Sequence, residues 1–277
     1  MLAVSICALF LWCQFEYRKD SHTFSTLFLM QPTDLSRYSK EMVDDLPEPV
    51  RRYFNRSIMP GTPLYSVAEI EMTGEFSLGT KDDPDYMQMS ARQALAAPRG
   101  FIWTVKLGKG HTSISGSDGA IESTSWSRFW LMGLLPVARA GGTLDHLRAA
   151  FGRYVAEAVF WTPAALLPRE GVQWKATGKD TVRVTVSYGS LSQDVDLSLD
   201  DSGQLRQVVF PRWSNANPDG VYQIQPFGGH LSNFRVFEGF HLPTRIEAGN
   251  HFGTEAYFPF FRADVATIRF PKRRIAQ

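Results

Sequence analysis

Much of this chain alternates apolar with polar residues. Ile70, Met72, Phe76 and Leu78 interleave with Glu69, Glu71, Thr73, Glu75 and Ser77, the period of two that turns one strand face to a core and the other to water. Gly74 inside that run predicts a bend. Lys81-Asp82-Asp83-Pro84-Asp85 is a turn cluster, and its three acids read as a solvated turn rather than a metal site. Tyr86 to Leu95 resumes a strand, and the run after it sets Phe101, Trp103, Val105 and Leu107 on one unusually aromatic face. Within Thr112 to Ser125, the dipeptide Asp118-Gly119 predicts a hairpin between two short strands. Later, Val182, Val184 and Val186 alternate with polar neighbours, as do Val195, Leu197 and Leu199. Asp201-Ser202-Gly203 joins that last strand to Gln204–Phe210 as a tight hairpin. Asn217-Pro218-Asp219-Gly220 marks another turn, and residues 231–237, 244–248 and 265–270 supply the remaining strands. No segment repeats at a fixed period, which argues against solenoids and propellers.

The period changes in the middle of the chain. Ser127 to Val137 is apolar nearly all round, so the expected helical insertion spans about 126–168 and is buried or touches something greasy. Gly141-Gly142 interrupts it, and Thr143 caps a helix from Leu144 to about Ala158. On that helix Leu144, Leu147, Phe151, Val155 and Ala158 form one stripe, with Arg153 and Glu157 on the opposite side. Towards the front, residues 33–56 read as helical: Thr33 or Asp34 caps, Leu35, Tyr38 and Met42 recur at helical spacing, and Pro47 and Pro49 start a second short helix. Ser21 to Pro32 has no clear period and reads as a linker. The domain plan is an apolar segment at 1–20, a linker and helix at 21–45, and one β-rich domain at 46–277.

Met1 to Phe15 is nearly all apolar but shorter than the roughly 20 residues that cross a bilayer. Arg18 and Lys19 follow the run instead of preceding it, no small-residue cleavage site is evident, and Phe10-Leu11-Trp12 before Cys13 is too bulky for lipoprotein processing. The remaining reading is the trailing part of a membrane anchor, as a misassigned start would leave, which makes the protein membrane-associated on an unassigned side. Cys7 and Cys13, the two cysteines, both lie in this segment, so the rest has no disulfide framework. Lys and Arg total 29 against 28 for Asp and Glu, which gives no electrostatic case for a nucleic-acid partner. The short basic end Lys272-Arg273-Arg274 reads as solvated.

The phosphate-cradling loop with lysine, GxGxxG, HExxH and the G-x-S-x-G elbow are all missing, and no cofactor is implied. Of the six histidines, His230 and His241 with Glu238 make a conceivable two-His, one-carboxylate set, but without ligand spacing, so no metal is assigned. The aromatic set Phe101, Trp103, Trp126, Phe129, Trp130, Phe160 and Trp161 exceeds what one sheet face needs, and binding pockets are mostly apolar concavities. The candidate ligand-binding residues are therefore Phe101, Trp103, Trp126, Trp130 and Trp161, together with Arg153, Tyr154 and Glu157. Arg153 and Glu157, four apart on a helix, make either a structural pair or a polar anchor for a headgroup.

The runs Leu46 to Phe54, Gln93 with Pro98, Leu134 to Ala138, Arg153 to Glu157, Pro163 to Pro168 and Trp174 resemble a bacterial domain-of-unknown-function family, the 6544 group. Its members commonly carry an apolar front followed by basic residues, which favours an anchor here. A fainter resemblance, in the order strands, apolar helical insertion, paired strands, is to the lipoprotein carriers of the LolA/LolB type. It implies a mainly β protein with helices (α+β), in which a curved antiparallel sheet or unclosed β-barrel is covered by a central helical lid. The reading that follows is a membrane-tethered protein holding a lipid or other hydrophobic small molecule between sheet and helices. Alternatives are an enzyme using Arg153, Tyr154 and Glu157, with His241, in a cleft, or an interaction module at the membrane surface.

Overall fold

Period-two alternation builds a wholly antiparallel sheet in the computed structural model, which describes residues 2–272. Helix α1 (Leu2–Phe28) and the short helix α2 (Glu48–Ser57) come first. Six strands follow: β1 (Ala68–Ser77), β2 (Tyr86–Ala96), β3 (Gly100–Leu107), β4 (Ile114–Ile121), β5 (Thr124–Leu131) and β6 (Leu135–Gly141). Helix α3 (Leu144–Trp161) and a 3-10 turn over Pro163–Leu166 lead to β7 (Val172–Ala176), β8 (Thr181–Tyr188), β9 (Leu191–Leu199) and β10 (Leu205–Ser214). The chain ends in β11 (Gln223–Phe237), β12 (Phe240–Asn250) and β13 (Phe258–Arg269).

All thirteen strands join one sheet in the order β6-β5-β4-β3-β2-β1-β13-β12-β11-β10-β9-β8-β7. Its margins β6 and β7 do not pair, so the sheet is unclosed. Helix α3 leaves one margin and re-enters the sheet at the other. It packs on β3, β4, β5 and β6 and also on β9, β10 and β12. Laid flat at about 4.8 Å per strand, β6 and β9 would lie roughly 50 Å apart. A helix of 18 residues is only about 27 Å long, so the sheet must curl around it. The inner face carries Phe101, Trp103, Val105 and Leu107 on β3 and the valines of β8, all buried. Gly152 lets α3 approach closely, because a Cβ there would lie 2.6 Å from Gln193 Oε1 on β9.

The far end of α3 is latched. The Tyr53 hydroxyl of α2 donates to the Val159 carbonyl at 2.5 Å, and Tyr53 and Phe54 pack against Trp174 with ring centroids 5.4 and 5.2 Å apart. Trp174 Nε1 donates to the Leu166 carbonyl at 2.8 Å, which ties the proline-bounded turn to β7. Three of the runs that carry the family resemblance therefore meet at one spot.

Several sequence expectations are corrected. The segment read as a linker continues α1 as far as Phe28, because Phe24 and Leu27, three apart, bury against Val67, Ala94 and Ile102 on the outer face of the sheet. Residues 33–39 are irregular rather than helical, bending at 33–34 and bridging from Arg37 to Pro63: Tyr38 N–H donates to Thr62 O and Gly61 N–H to Tyr38 O, each at 2.8 Å, and only Lys40–Val43 makes a 3-10 turn. Residues 126–141, expected in the helical insertion, are strand β5, a turn and strand β6. They are apolar on both faces because β5 is covered twice, with Phe129 directed inward and Trp130 outward against α1. Met132 and Gly133, with φ of 52° and 65°, turn that hairpin. Asp118-Gly119 is no turn but the middle of β4, and Gly119 is there because the Trp126 ring lies on it, 2.5 Å from where a Cβ would sit. On α3 Leu144 is exposed, whereas Arg153 and Glu157 face the sheet.

Candidate functional site

Between α3 and the inner face of the sheet lies a cavity of about 430 Å³. One wall is Phe76, Trp103 and Phe129; the other is Val208, Phe210, Leu231, Ile246 and Phe260; Ala149, Ala150 and Ala156 of α3 form the floor. Small side chains on the helix against large ones on the sheet leave the space open.

One polar cluster interrupts these apolar walls. Arg153 on α3 reaches Asp118 Oδ2 on β4 at 2.5 Å and Glu157 Oε1 at 2.9 Å. Its guanidinium lies over the Phe101 and Trp103 rings, 4.9 and 5.0 Å from their centroids. Burial alone would lower the Arg153 pKa, but the charges and hydrogen bonds of Glu157 and Asp118 turn the shift upward, so this arginine stays protonated. Gln93, fully buried on β2, donates to Glu157 Oε2 at 2.5 Å. On β10, Arg212 lines the same cavity with its guanidinium over the Phe227 ring, centroid 4.7 Å away. It has no hydrogen-bond or salt-bridge partner among the described residues, and its Nε is a buried orphan. Burial, reinforced by repulsion from Arg153 and opposed by Asp118 and Glu157, pulls its pKa down to about 10.

A third polar set adjoins Asp118. Ser127 Oγ donates to Asp118 Oδ1 at 2.7 Å and lies 3.1 Å from His146 Nε2, while His146 Nδ1 is 2.9 Å from Ser125 Oγ. With the Ser127 proton committed to the carboxylate, His146 donates from Nε2 and accepts from Ser125 at Nδ1. Desolvation holds the His146 pKa below its ordinary value, which suits that neutral tautomer. General-base activation of Ser127 would need an imidazole lone pair facing the hydroxyl; here the lone pair faces Ser125. Ser125, the hydroxyl that does face the lone pair, is buried and lies outside the cavity lining, so the set presents no imidazole-activated hydroxyl to the cavity.

Of the residues singled out from sequence, Trp103, Arg153, Glu157 and Trp161 line the cavity. Phe101 lies just beneath them, packed on Tyr154 with centroids 5.5 Å apart. Tyr154 is turned away: its hydroxyl donates to the Pro98 carbonyl at 3.1 Å, and burial raises its pKa. Trp126 and Trp130 are on the outer face, donating to Ser117 Oγ at 3.0 Å and to Glu16 Oε2 at 2.9 Å. The Arg153, Tyr154, Glu157 and His241 cleft does not form, since His241 packs on Phe234 well outside the cavity lining. His230 packs on Phe252 and Tyr257. Among the described residues no group of three His, Cys, Asp or Glu side chains could hold a metal ion. Arg212, Asp118 and His146 were missed. Arg212 was findable, because it continues the inward row Val208, Phe210 at the next period-two position.

Glu16 and Asp20 on α1 pair with Arg139 and Arg128, each at 2.6 Å, and Tyr17 bonds Ser115 at 2.8 Å, so this half of α1 lies across the outer face of the sheet. Among the described residues no helix is long and apolar enough to cross a membrane, because these charged groups interrupt α1.

No curated protein matches the chain. Among solved structures it is similar to a LolA superfamily protein from Nitrosomonas europaea, with 10% identity, 82% of this chain and 93% of that chain covered, and a TM-score of 0.44. It is also similar to a putative outer membrane lipoprotein-sorting protein domain from Vibrio parahaemolyticus, with 10% identity, 83% and 91% covered, and a TM-score of 0.38. The model of the Family of unknown function (DUF6544) matches residues 36–263, more than half the chain, and the chain belongs to that family.

Proposed function

We propose that this chain binds a lipid or other hydrophobic small molecule in the hollow between α3 and the sheet, and does so at a membrane to which its front segment holds it. The observation that carries the reading is the 430 Å³ of largely apolar space under α3. Protein interiors ordinarily close such space, since side chains pack at crystal-like density. The volume falls within the range of about 300–1,000 Å³ that ligand pockets occupy. Native mass spectrometry of the purified protein is expected to find a bound lipid, and tryptophan emission is expected to change as fatty acids or phospholipids are added. A protein free of lipid whose emission is unmoved by both would overturn the reading.

Membrane attachment is supported by a second feature. Phe10, Leu11 and Phe15 on α1 are exposed, and Phe10 and Leu11 lie beside Met132 and Leu134 of the β5–β6 turn, with Arg18 and Lys19 next in sequence. Apolar side chains followed by basic ones suit a helix lying in the headgroup region of anionic lipid. In flotation with vesicles containing phosphatidylglycerol, the protein is expected to rise with the lipid, and Leu11→Asp combined with Phe15→Asp is expected to leave it at the bottom. Equal flotation of both forms would refute attachment through this patch.

A further inference from the structure

Resting on the ligand-binding reading above, we infer that the occupant of the hollow is an amphiphile with a single negative charge on its headgroup, a carboxylate or a phosphodiester, held by Arg212. Arg153 already has two carboxylates, Asp118 and Glu157, at 2.5 and 2.9 Å. Arg212 has none. Its guanidinium is part of the cavity wall over the Phe227 ring, Asp118 and Glu157 act on its charge without bonding it, and its Nε is buried without an acceptor. Leaving a cation unpaired in a low-dielectric wall costs stability, and an apolar residue of similar size would cost none. The sequence nevertheless sets an arginine on the inward row of β10, after Val208 and Phe210. A charge-assisted bond from the guanidinium to an anionic oxygen supplies the missing acceptor.

Charge balance narrows the headgroup further. Asp118 and Glu157 offset Arg153 and Arg212, so the four groups together are neutral. One added negative charge leaves the site at −1; a phosphomonoester dianion would leave it at −2 beside two carboxylates. The apolar part of the wall, from Phe76 and Trp103 round to Leu231, Ile246 and Phe260, takes the tail.

The test is isothermal titration of the delipidated protein with oleate, oleyl phosphate, oleyl alcohol, dioleoyl phosphatidylglycerol and acetate, repeated on Arg212→Met. The wild type is expected to bind oleate or the phosphodiester lipid at least 10-fold more tightly than oleyl alcohol and oleyl phosphate, and acetate weakly. Arg212→Met is expected to bind oleate and oleyl alcohol alike while melting no lower than the wild type, since it loses a partly buried charge whose Nε has no acceptor. Arg212→Lys, which keeps the charge, is expected to retain part of the preference. Equal binding of oleate and oleyl alcohol by the wild type, or a preference that survives in Arg212→Met, would overturn the assignment and leave the ligand-binding reading intact. Acetate binding as tightly as oleate would show a free-anion site and also overturn it. If none of the probes binds, the ligand-binding reading and the assignment both fall.

Discussion

Protonating His146 breaks the arrangement in which its Nδ1 accepts from Ser125 and its Nε2 donates to Ser127. Burial lowers its folded-state pKa below 6.5, partly opposed by Asp118 and reinforced by Arg212. The unfolded chain therefore binds this proton more readily, so stability from this group is full above pH 6.5 and declines as pH falls through the folded value. Urea unfolding of His146→Gln is expected to show a smaller loss of stability between about pH 8 and about pH 5 than the wild type. An unchanged pH slope would remove His146 as its source. The same scale shows what sequence could deliver about the site. Trp103, Arg153, Glu157 and Trp161 were legible because bulk and charge stood out from their surroundings. Asp118 was hidden because Asp-Gly is a turn signal wherever neighbours do not override it, and here the Trp126 ring across the sheet overrides it. No local pattern names a partner seven residues away on the next strand.

Helix α1 illustrates how charges dock an element. Glu16 and Asp20 are both buried, but their environments differ. For Glu16, burial is outweighed by hydrogen bonds from Arg139 and Trp130, and its pKa falls; for Asp20, burial wins over Arg128, and its pKa rises. The ionised form is therefore favoured at Glu16 and penalised at Asp20. Glu16→Gln is expected to loosen α1 more than Asp20→Asn, read as faster hydrogen exchange over residues 13–28 with the sheet still protected. The reverse order would contradict the assignment. At this scale strands were easier to read than helices. A strand with one wet face announces itself by alternation, as β1 does, whereas β5 is covered on both faces and loses it. Its run of apolar residues then matches a buried helix just as well, and only the neighbouring elements decide. The helix α3 was legible at its start because Thr143 caps it, accepting from the His146 N–H at 3.2 Å.

Across the whole molecule, the open sheet and its cavity follow from long-range order that no window of sequence contains. β1 pairs with β13, nearly two hundred residues away in the chain. That pairing brings the two halves of the strand series together around α3. Since the cavity survives because the helix presents alanines to it, filling it from the helix side tests the molecule's central feature. Ala149→Phe, at a position with some freedom to adjust, is expected to reduce fatty-acid affinity at least 10-fold while shifting the melting temperature little. Undiminished affinity would show that the ligand sits elsewhere. The tethering of α3 has a consequence for how a guest gets in. A helix joined to opposite borders of one sheet, and pinned at its far end by Tyr53, is not free to swing aside like a hinged flap. On the ligand-binding proposal a guest therefore enters past a helix that stays put, and the rate of uptake is expected to follow the pliancy of the strands around the hollow rather than any motion of the segment that covers them.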